Sequence, residues 1–213
     1  MGHHDHSHDD NGHHSHERDP SDPSVRARAL QSVLIEKGIL STDAIDAVVQ
    51  AFERDVGPLN GAQVVARAWS DPDYKARLLE NADEAIAEFD FDIGGKPVTV
   101  VENTDIVHNI LVCTLCSCYP WHLLGLPPSW YKSAEYRARV VREPRAVLAE
   151  FGLDLADDIE IRIWDQTAEL RYMVLPRRPP ETDELSESEL AELVTRDALV
   201  GVARMDHSVG ATS

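Results

Sequence analysis

Three cysteines, Cys113, Cys116 and Cys118, lie in one six-residue window, and the 213-residue chain has no others. A disulfide scaffold would spread an even number of cysteines along the chain. A thioredoxin-type pair needs its thiols at a helix start and would leave the third sulfur unexplained. Thiolates are soft ligands that favour Zn, Cu(I) or iron, so a metal site accounts best for the cluster. Tetrahedral zinc takes four ligands and the loop offers three sulfurs. His108 or His122 could add a fourth, but each reads more readily as a nearby polar residue, because no second C-x-x-C half-site exists. The tripeptide Cys116, Ser117, Cys118 has a further property. Its short reach brings the backbone amides of Ser117 and Cys118 beside the sulfurs. Three sulfurs and two amide nitrogens would fill five corners of an octahedron and leave the sixth to solvent or substrate. Deprotonated amides are strong donors and suit a trivalent ion better than zinc.

The surrounding pattern must hold that loop. Residues 107–112 read as a strand that delivers the chain into it, and 97–101 as another. Residues 159–164 and 170–175 alternate apolar and polar, and the five residues between them suit a hairpin. Helices are expected over 129–141 and over 144–151, the latter stopped by Gly152. A last helix, with capping-box spacing at Ser186 and Glu189, runs to about Arg196. Upstream, 25–93 reads as a helical arm. A first helix covers 25–37, and Ser41 could cap a second that ends at Gly57 and Pro58. A short helix over 64–69 follows. Asp71 with Pro72 then starts a helix running toward Phe89. The fold class is α+β: a helical arm, then a domain of small β-sheets flanked by helices over 94–213.

Residues 1–24 carry seven of the ten histidines, six acids and one base. That composition cannot bury a core and predicts disorder. The tail is either solvated chain or a weak trap for divalent metal. The formal net charge of −18 excludes a nucleic-acid partner and a role on anionic membrane. No apolar run is long enough to span a bilayer and no secretory leader is visible, so a reduced, cytoplasmic protein is expected.

The stretch VCTLCSCYPW over 112–121, continued by LGLPPSWYK over 124–132, resembles the α subunit of cobalt nitrile hydratases. RVVREPR over 139–145, EFGL over 150–153, RYMVLP over 171–176 and VTRD over 194–197 match as well, as do VGPLNG over 56–61 and ARAW over 66–69. The resemblance covers about residues 25–205. It implies hydration of a nitrile to an amide at one non-corrin Co(III) per subunit. By that resemblance Cys113 is the axial thiolate, Cys116 a sulfinic acid and Cys118 a sulfenic acid, and Ser117 and Cys118 add main-chain nitrogens. Cys118 and Cys116 then carry the chemistry, Thr114 accompanies cobalt rather than iron, and Tyr119 points the same way. Trp121 would line the substrate pocket beside Tyr119, or pack in the core. Asp165, Glu169 and Arg171 would support the ligands, or form the solvated face of a hairpin. The resemblance further implies a β subunit, as one chain or two, and an activator protein for cobalt insertion.

His122 departs from the family, which commonly has proline there, and the histidine-rich tail departs too. The tail is similar to that of the thiocyanate hydrolase γ subunit, which makes that enzyme the alternative. Against it, thiocyanate hydrolase resembles this chain less at Trp121, where it has arginine, and lacks the pattern of Trp164, Asp165 and Glu169. An indole suits an organic nitrile, and a guanidinium suits an anion. A non-catalytic metal-binding or metal-delivery subunit is the reading from another class.

Overall fold

A computed structural model describes residues 23–50, 59–91 and 93–205. The histidine-rich tail over 1–22 and the expected helix stop at Gly57 and Pro58 lie outside them. The chain divides into two compact units, Met1–Ala47 and Val48–Ser213.

In the first unit, helix α1 spans Pro23–Glu36. It closes through Gly38, at φ 68°, whose N–H donates to the Ile35 carbonyl. A left-handed residue is what satisfies the last helical carbonyls there. Ser41 then accepts the Ala44 N–H at 3.1 Å, so it caps α2, Thr42–Gln50, as its residue type predicts.

The second unit holds the strands. β1 is Val98–Glu102 and β2 is Val107–Val112. The Thr104 hydroxyl accepts the N–H groups of Ile106 and Val107 and shapes the turn between them. The two strands do not pair with each other. β2 pairs in parallel with β3, Glu160–Asp165, and β1 pairs in parallel with β4, Arg171–Leu175. The hairpin expected from 159–164 and 170–175 is therefore absent, because each segment joins an earlier strand. Alternation reports which face is buried, and a hairpin and two parallel partners give the same alternation. β2 is buried at all six positions, which marks a strand covered on both faces.

Helices cover these sheets. α3 is Leu59–Ser70 and α4 is Pro72–Glu80, capped by Asp71, whose carboxylate accepts the N–H groups of Asp73 and Tyr74. The helix expected to continue to Phe89 breaks at Asn81, which ends α4 and caps α5, Ala82–Ala87. An Asn side chain that can accept the N–H three residues on competes with helix continuation. α6 is Trp121–Leu124. The expected helix 129–141 likewise divides into α7, Ser129–Lys132, and α8, Ala134–Arg139, because Ser133 caps the second. α9 is Pro144–Glu150, and Gly152 follows it at φ 79°. The predicted capping box at Ser186 opens α10, Glu187–Leu193. Thr195 then caps a separate α11, Arg196–Val200, where one helix to Arg196 was expected.

The core joins β1, β2 and β4 to α3, α4, α5 and the aromatic group Tyr119, Tyr131, Tyr136 and Trp130. Trp130 meets Tyr136 and Phe151 edge-on at 4.9 and 4.8 Å. Such pairs add about 0.5–1.5 kcal/mol each beyond burial. Arg145 donates to the carbonyls of Leu155, Ala156, Asp157 and Ile159 and so fixes the approach to β3.

Candidate metal centre

The cysteine loop begins where β2 ends. Cys113 is buried, Cys116 exposed and Cys118 between the two. The Sγ atoms of Cys113 and Cys116 are 3.4 Å apart, and those of Cys116 and Cys118 are 3.3 Å apart. All three lie within 4.8 Å of one another, the one such group of ligating side chains among the described residues. The Cys116 N–H donates to the Cys113 sulfur. The N–H groups of Ser117 and Cys118 lie near enough to favour the ionised Cys116 sulfur. Three sulfurs and the backbone N–H groups next to them thus share one short loop. Soft sulfurs with adjacent amides fit a thiophilic transition-metal ion.

Three sulfurs this close cannot all ionise without a cation. Hydrogen bonds from Cys118, Cys113 and the two amides lower the Cys116 thiol to about 7. Burial, then the hydrogen bond to Cys116, pushes Cys118 up to about 12. A bound cation would replace the protons that the cluster otherwise keeps. At pH 7.5 the metal-free chain is expected to react with iodoacetamide at Cys116 first and at Cys118 much more slowly, since only the thiolate attacks. Peptide mass mapping over a time course reads the order, and equal rates would contradict it.

The parallel register positions the outer partners. It sets Asp165 beside Val112, one residue before Cys113. The Asp165 carboxylate accepts the Thr114 N–H at 2.9 Å and the Thr114 hydroxyl at 2.5 Å. Arg171 opens β4 opposite Val98, and its charge favours ionised Cys118. Glu169 is exposed in the turn before β4, where its N–H donates to Thr167. Asp165 and Arg171 therefore reach the loop from two different sheets, and their positions are not those of a hairpin face.

Two residues that sequence reasoning missed complete the frame. The Tyr131 hydroxyl donates to the Cys118 carbonyl at 3.0 Å and accepts from Gln166 at 2.7 Å. Gln166 also ties its N–H to the Val112 carbonyl, so it links both ends of the loop. Gln166 directly follows Asp165, and Tyr131 lies within the quoted 124–132 stretch. Neither carried a ligating group, and for that reason neither drew notice.

Neither described histidine joins the sulfur group, although His122 lines the same cavity as Cys116 and Cys118. His108 is buried at the other end of β2, with its ring between Asn103 and the Gly201 carbonyl. Burial holds its imidazole below the ordinary range. The His122 carbonyl accepts from Asn60, and its ring lies where a Cβ on Gly94 would fall, at 2.7 Å.

The cysteine loop opens into a cavity of about 370 Å³. Its lining includes Cys116, Cys118, Tyr119, Trp121, Lys96 and Arg171. Trp121 is 45% exposed, so its indole is not a core residue. Tyr119 is buried, and its hydroxyl has no hydrogen-bond partner among the described residues.

The model of the family described as nitrile hydratase, alpha chain, matches residues 21–203. The chain is 55% identical over 181 residues to the low-molecular-weight cobalt-containing nitrile hydratase subunit alpha of Rhodococcus rhodochrous, covering 84% of this chain and 87% of that one. It is 41% identical over 195 residues to thiocyanate hydrolase subunit gamma of Thiobacillus thioparus, covering 86% and 80%. A solved double mutant of the Fe-type nitrile hydratase from Comamonas testosteroni Ni1 superposes with a TM-score of 0.78 at 43% identity, covering 89% of this chain and 93% of that one.

Proposed function

The chain belongs to the nitrile hydratase α-chain family, and on that premise we propose that it is the metal-holding catalytic subunit of a cobalt nitrile hydratase, which adds water to a nitrile to give the amide. The observation that carries this reading is the cluster of three sulfurs within 4.8 Å of one another, two of which line a cavity together with Trp121.

Cys113, Cys116 and Cys118 would hold the ion through sulfur, and Ser117 and Cys118 through their main-chain nitrogens. When bound, Co(III) supplies a Lewis acid that polarises the nitrile or activates water. The chain's own residues do the rest. Cys118, as the sulfenate, faces the cavity and would act as base or nucleophile toward the incoming water or nitrile carbon. Cys116, as the sulfinate, withdraws charge from the site. Asp165 holds the loop through Thr114, and Arg171 balances the negative sulfurs. Trp121 supplies an apolar wall for the organic group of the nitrile. Glu169 joins Asp165 and Arg171 as outer support. Cobalt rather than iron follows Thr114 and the 55% identity to a cobalt-containing relative.

A β subunit, in one chain or two, is the expected partner, because the oxidised cysteines need cationic partners beyond Arg171. Leu115, 91% exposed at the loop tip, gives such a partner an apolar contact. An activator that inserts cobalt and a cytoplasmic, reducing location belong to the same reading. No helix of the described residues is long and apolar enough to cross a membrane.

The test is co-expression with partner subunits under cobalt, followed by assay of benzonitrile against thiocyanate. Nitrile turnover is the expected result, and faster thiocyanate turnover would move the chain to the hydrolase alternative. Intact mass of the cysteine peptide adds an independent reading. Three added oxygen atoms are expected, and unoxidised cysteines in the holoprotein would favour a metal-delivery role.

Asp165→Asn tests the outer support. The amide keeps the shape but loses the charge that accepts two donors from Thr114. Activity is expected to fall about 10–100-fold, as for other outer partners of metal ligands, with the chain still folded. Unchanged activity at equal cobalt content would remove Asp165 from the site.

A further inference from the structure

The chain carries 38 acidic side chains against 20 basic ones, yet among the described residues no carboxylate lines the cavity at the cysteine loop. Its charged lining is Lys96 and Arg171. On the proposed reading Arg171 offsets the anionic Cys116 and Cys118, so Lys96 is the cation of the lining left to meet an anionic group on a substrate.

The two cations are not equivalent. Arg171 lines the cavity with Cys116 and Cys118, and on the proposed reading it balances their charge. Lys96 has no hydrogen bond or ion pair among the described residues and its side chain is exposed. Its position is set by the backbone. Gly94 and Gly95 both adopt left-handed conformations, at φ 73° and 63°, and turn the chain just before β1. The Arg171 N–H then donates to the Pro97 carbonyl at 2.9 Å and holds the segment against β4. The result is an exposed ammonium on an anchored segment that lines the same cavity as Trp121.

We propose that Lys96 determines the charge of the substrate: the cavity selects organic nitriles that carry a carboxylate on the group remote from the cyano carbon. The inference rests on the nitrile-hydrating reading of the site. With the cyano group at the cysteine loop and the hydrocarbon against Trp121, a remote carboxylate meets the Lys96 ammonium. A cavity of about 370 Å³ holds a molecule the size of a cyanobenzoate.

The experiment uses the cobalt-loaded holoenzyme with its partner subunits. It compares kcat/KM for 4-cyanobenzoate and for benzonitrile in the native protein, Lys96→Met, Lys96→Glu and Lys96→Arg. The ratio of the anionic to the neutral substrate is expected to fall about fivefold in Lys96→Met, the weight of one solvent-accessible ion pair. It should fall further, to about twentyfold, in Lys96→Glu, where attraction becomes repulsion. Lys96→Arg should restore it, and the native preference should weaken with added salt. A ratio that is the same in the native protein and Lys96→Glu would overturn the inference and leave the nitrile reading standing. Failure of the native holoenzyme to hydrate either nitrile would overturn both.

Discussion

Cys118→Ala in the assembled, cobalt-supplied enzyme is expected to abolish nitrile hydration while the chain keeps its fold. The side chain is only partly buried, and its sulfur touches the Cys116 sulfur rather than the apolar core. Truncating it leaves no large cavity, so the stability cost is about 1 kcal/mol or less. The chemical cost is of another order. On the proposed assignment one sulfur ligand and the group facing the substrate would disappear together, and removing a residue that acts as part of such a unit costs at least about a thousandfold. The main-chain nitrogen of residue 118 survives the substitution, so some metal can still be retained through Cys113, Cys116 and the two amides. Turnover, metal content and the thermal transition, measured on one preparation, separate these effects. Lost activity with an unshifted transition is the expected pattern. Activity within tenfold of the native protein would show that Cys118 is not the reacting group.

The contrast between Cys118 and its supporting residues explains how much was legible in the sequence. The cysteine loop is local. Its candidate ligands sit within six positions, so spacing alone brings the three sulfurs together. The capped helix starts at Ser41, Asp71 and Ser186 are legible for the same reason, since each cap acts on a residue two or three positions away. What the sequence did not disclose is pairing. Asp165 reaches Thr114 only because β3 lies parallel to β2 in the register that sets Val112 beside Asp165. A hairpin between β3 and β4 would have turned the same alternation into a solvated ribbon. Asn81 and Ser133 misled in the opposite sense. Their side chains cap the helix that follows, and apolar periodicity running through them hid the break. Gln166 and Tyr131 were missed because a hydrogen-bonding frame has no spacing of its own. It exists only once β2, β3 and α7 are assembled.

Gly201→Ala is the second substitution with a large expected effect, and it acts on the fold that delivers the cysteines. Gly201 ends α11 at φ 90°, a conformation that an alanine adopts only with strain. A Cβ there would fall 1.9 Å from the Asn109 carbonyl oxygen and 3.1 Å from the Ile110 Cα. Both obstacles are backbone of β2, so no side chain can rotate away. Either α11 withdraws or β2 bends. Both moves break the Gly201 carbonyl's contact with the His108 ring at 2.8 Å. They also disturb Asn109, whose side chain bonds Asn103, the Glu102 carbonyl and Trp164. Left-handed strain, overpacking and a disrupted buried network together cost about 4 kcal/mol, a large share of the 5–15 kcal/mol that a domain holds in reserve. The thermal midpoint is expected to drop by about 10 °C. Gly152→Ala is the matched control. Its φ is 79°, but a Cβ there meets nothing within 4 Å, so it bears the backbone cost alone, about 1 kcal/mol. Equal shifts for the two variants would mean that α11 does not brace β2. A much larger shift at Gly201 would show that the close approach, rather than the left-handed conformation, requires glycine. Asn109 stands four residues before Cys113 on the same strand, so a bent β2 would also disturb the loop. Gly201→Ala protein that remains folded at low temperature is therefore expected to lose cobalt as well as stability, whereas Gly152→Ala should retain its metal.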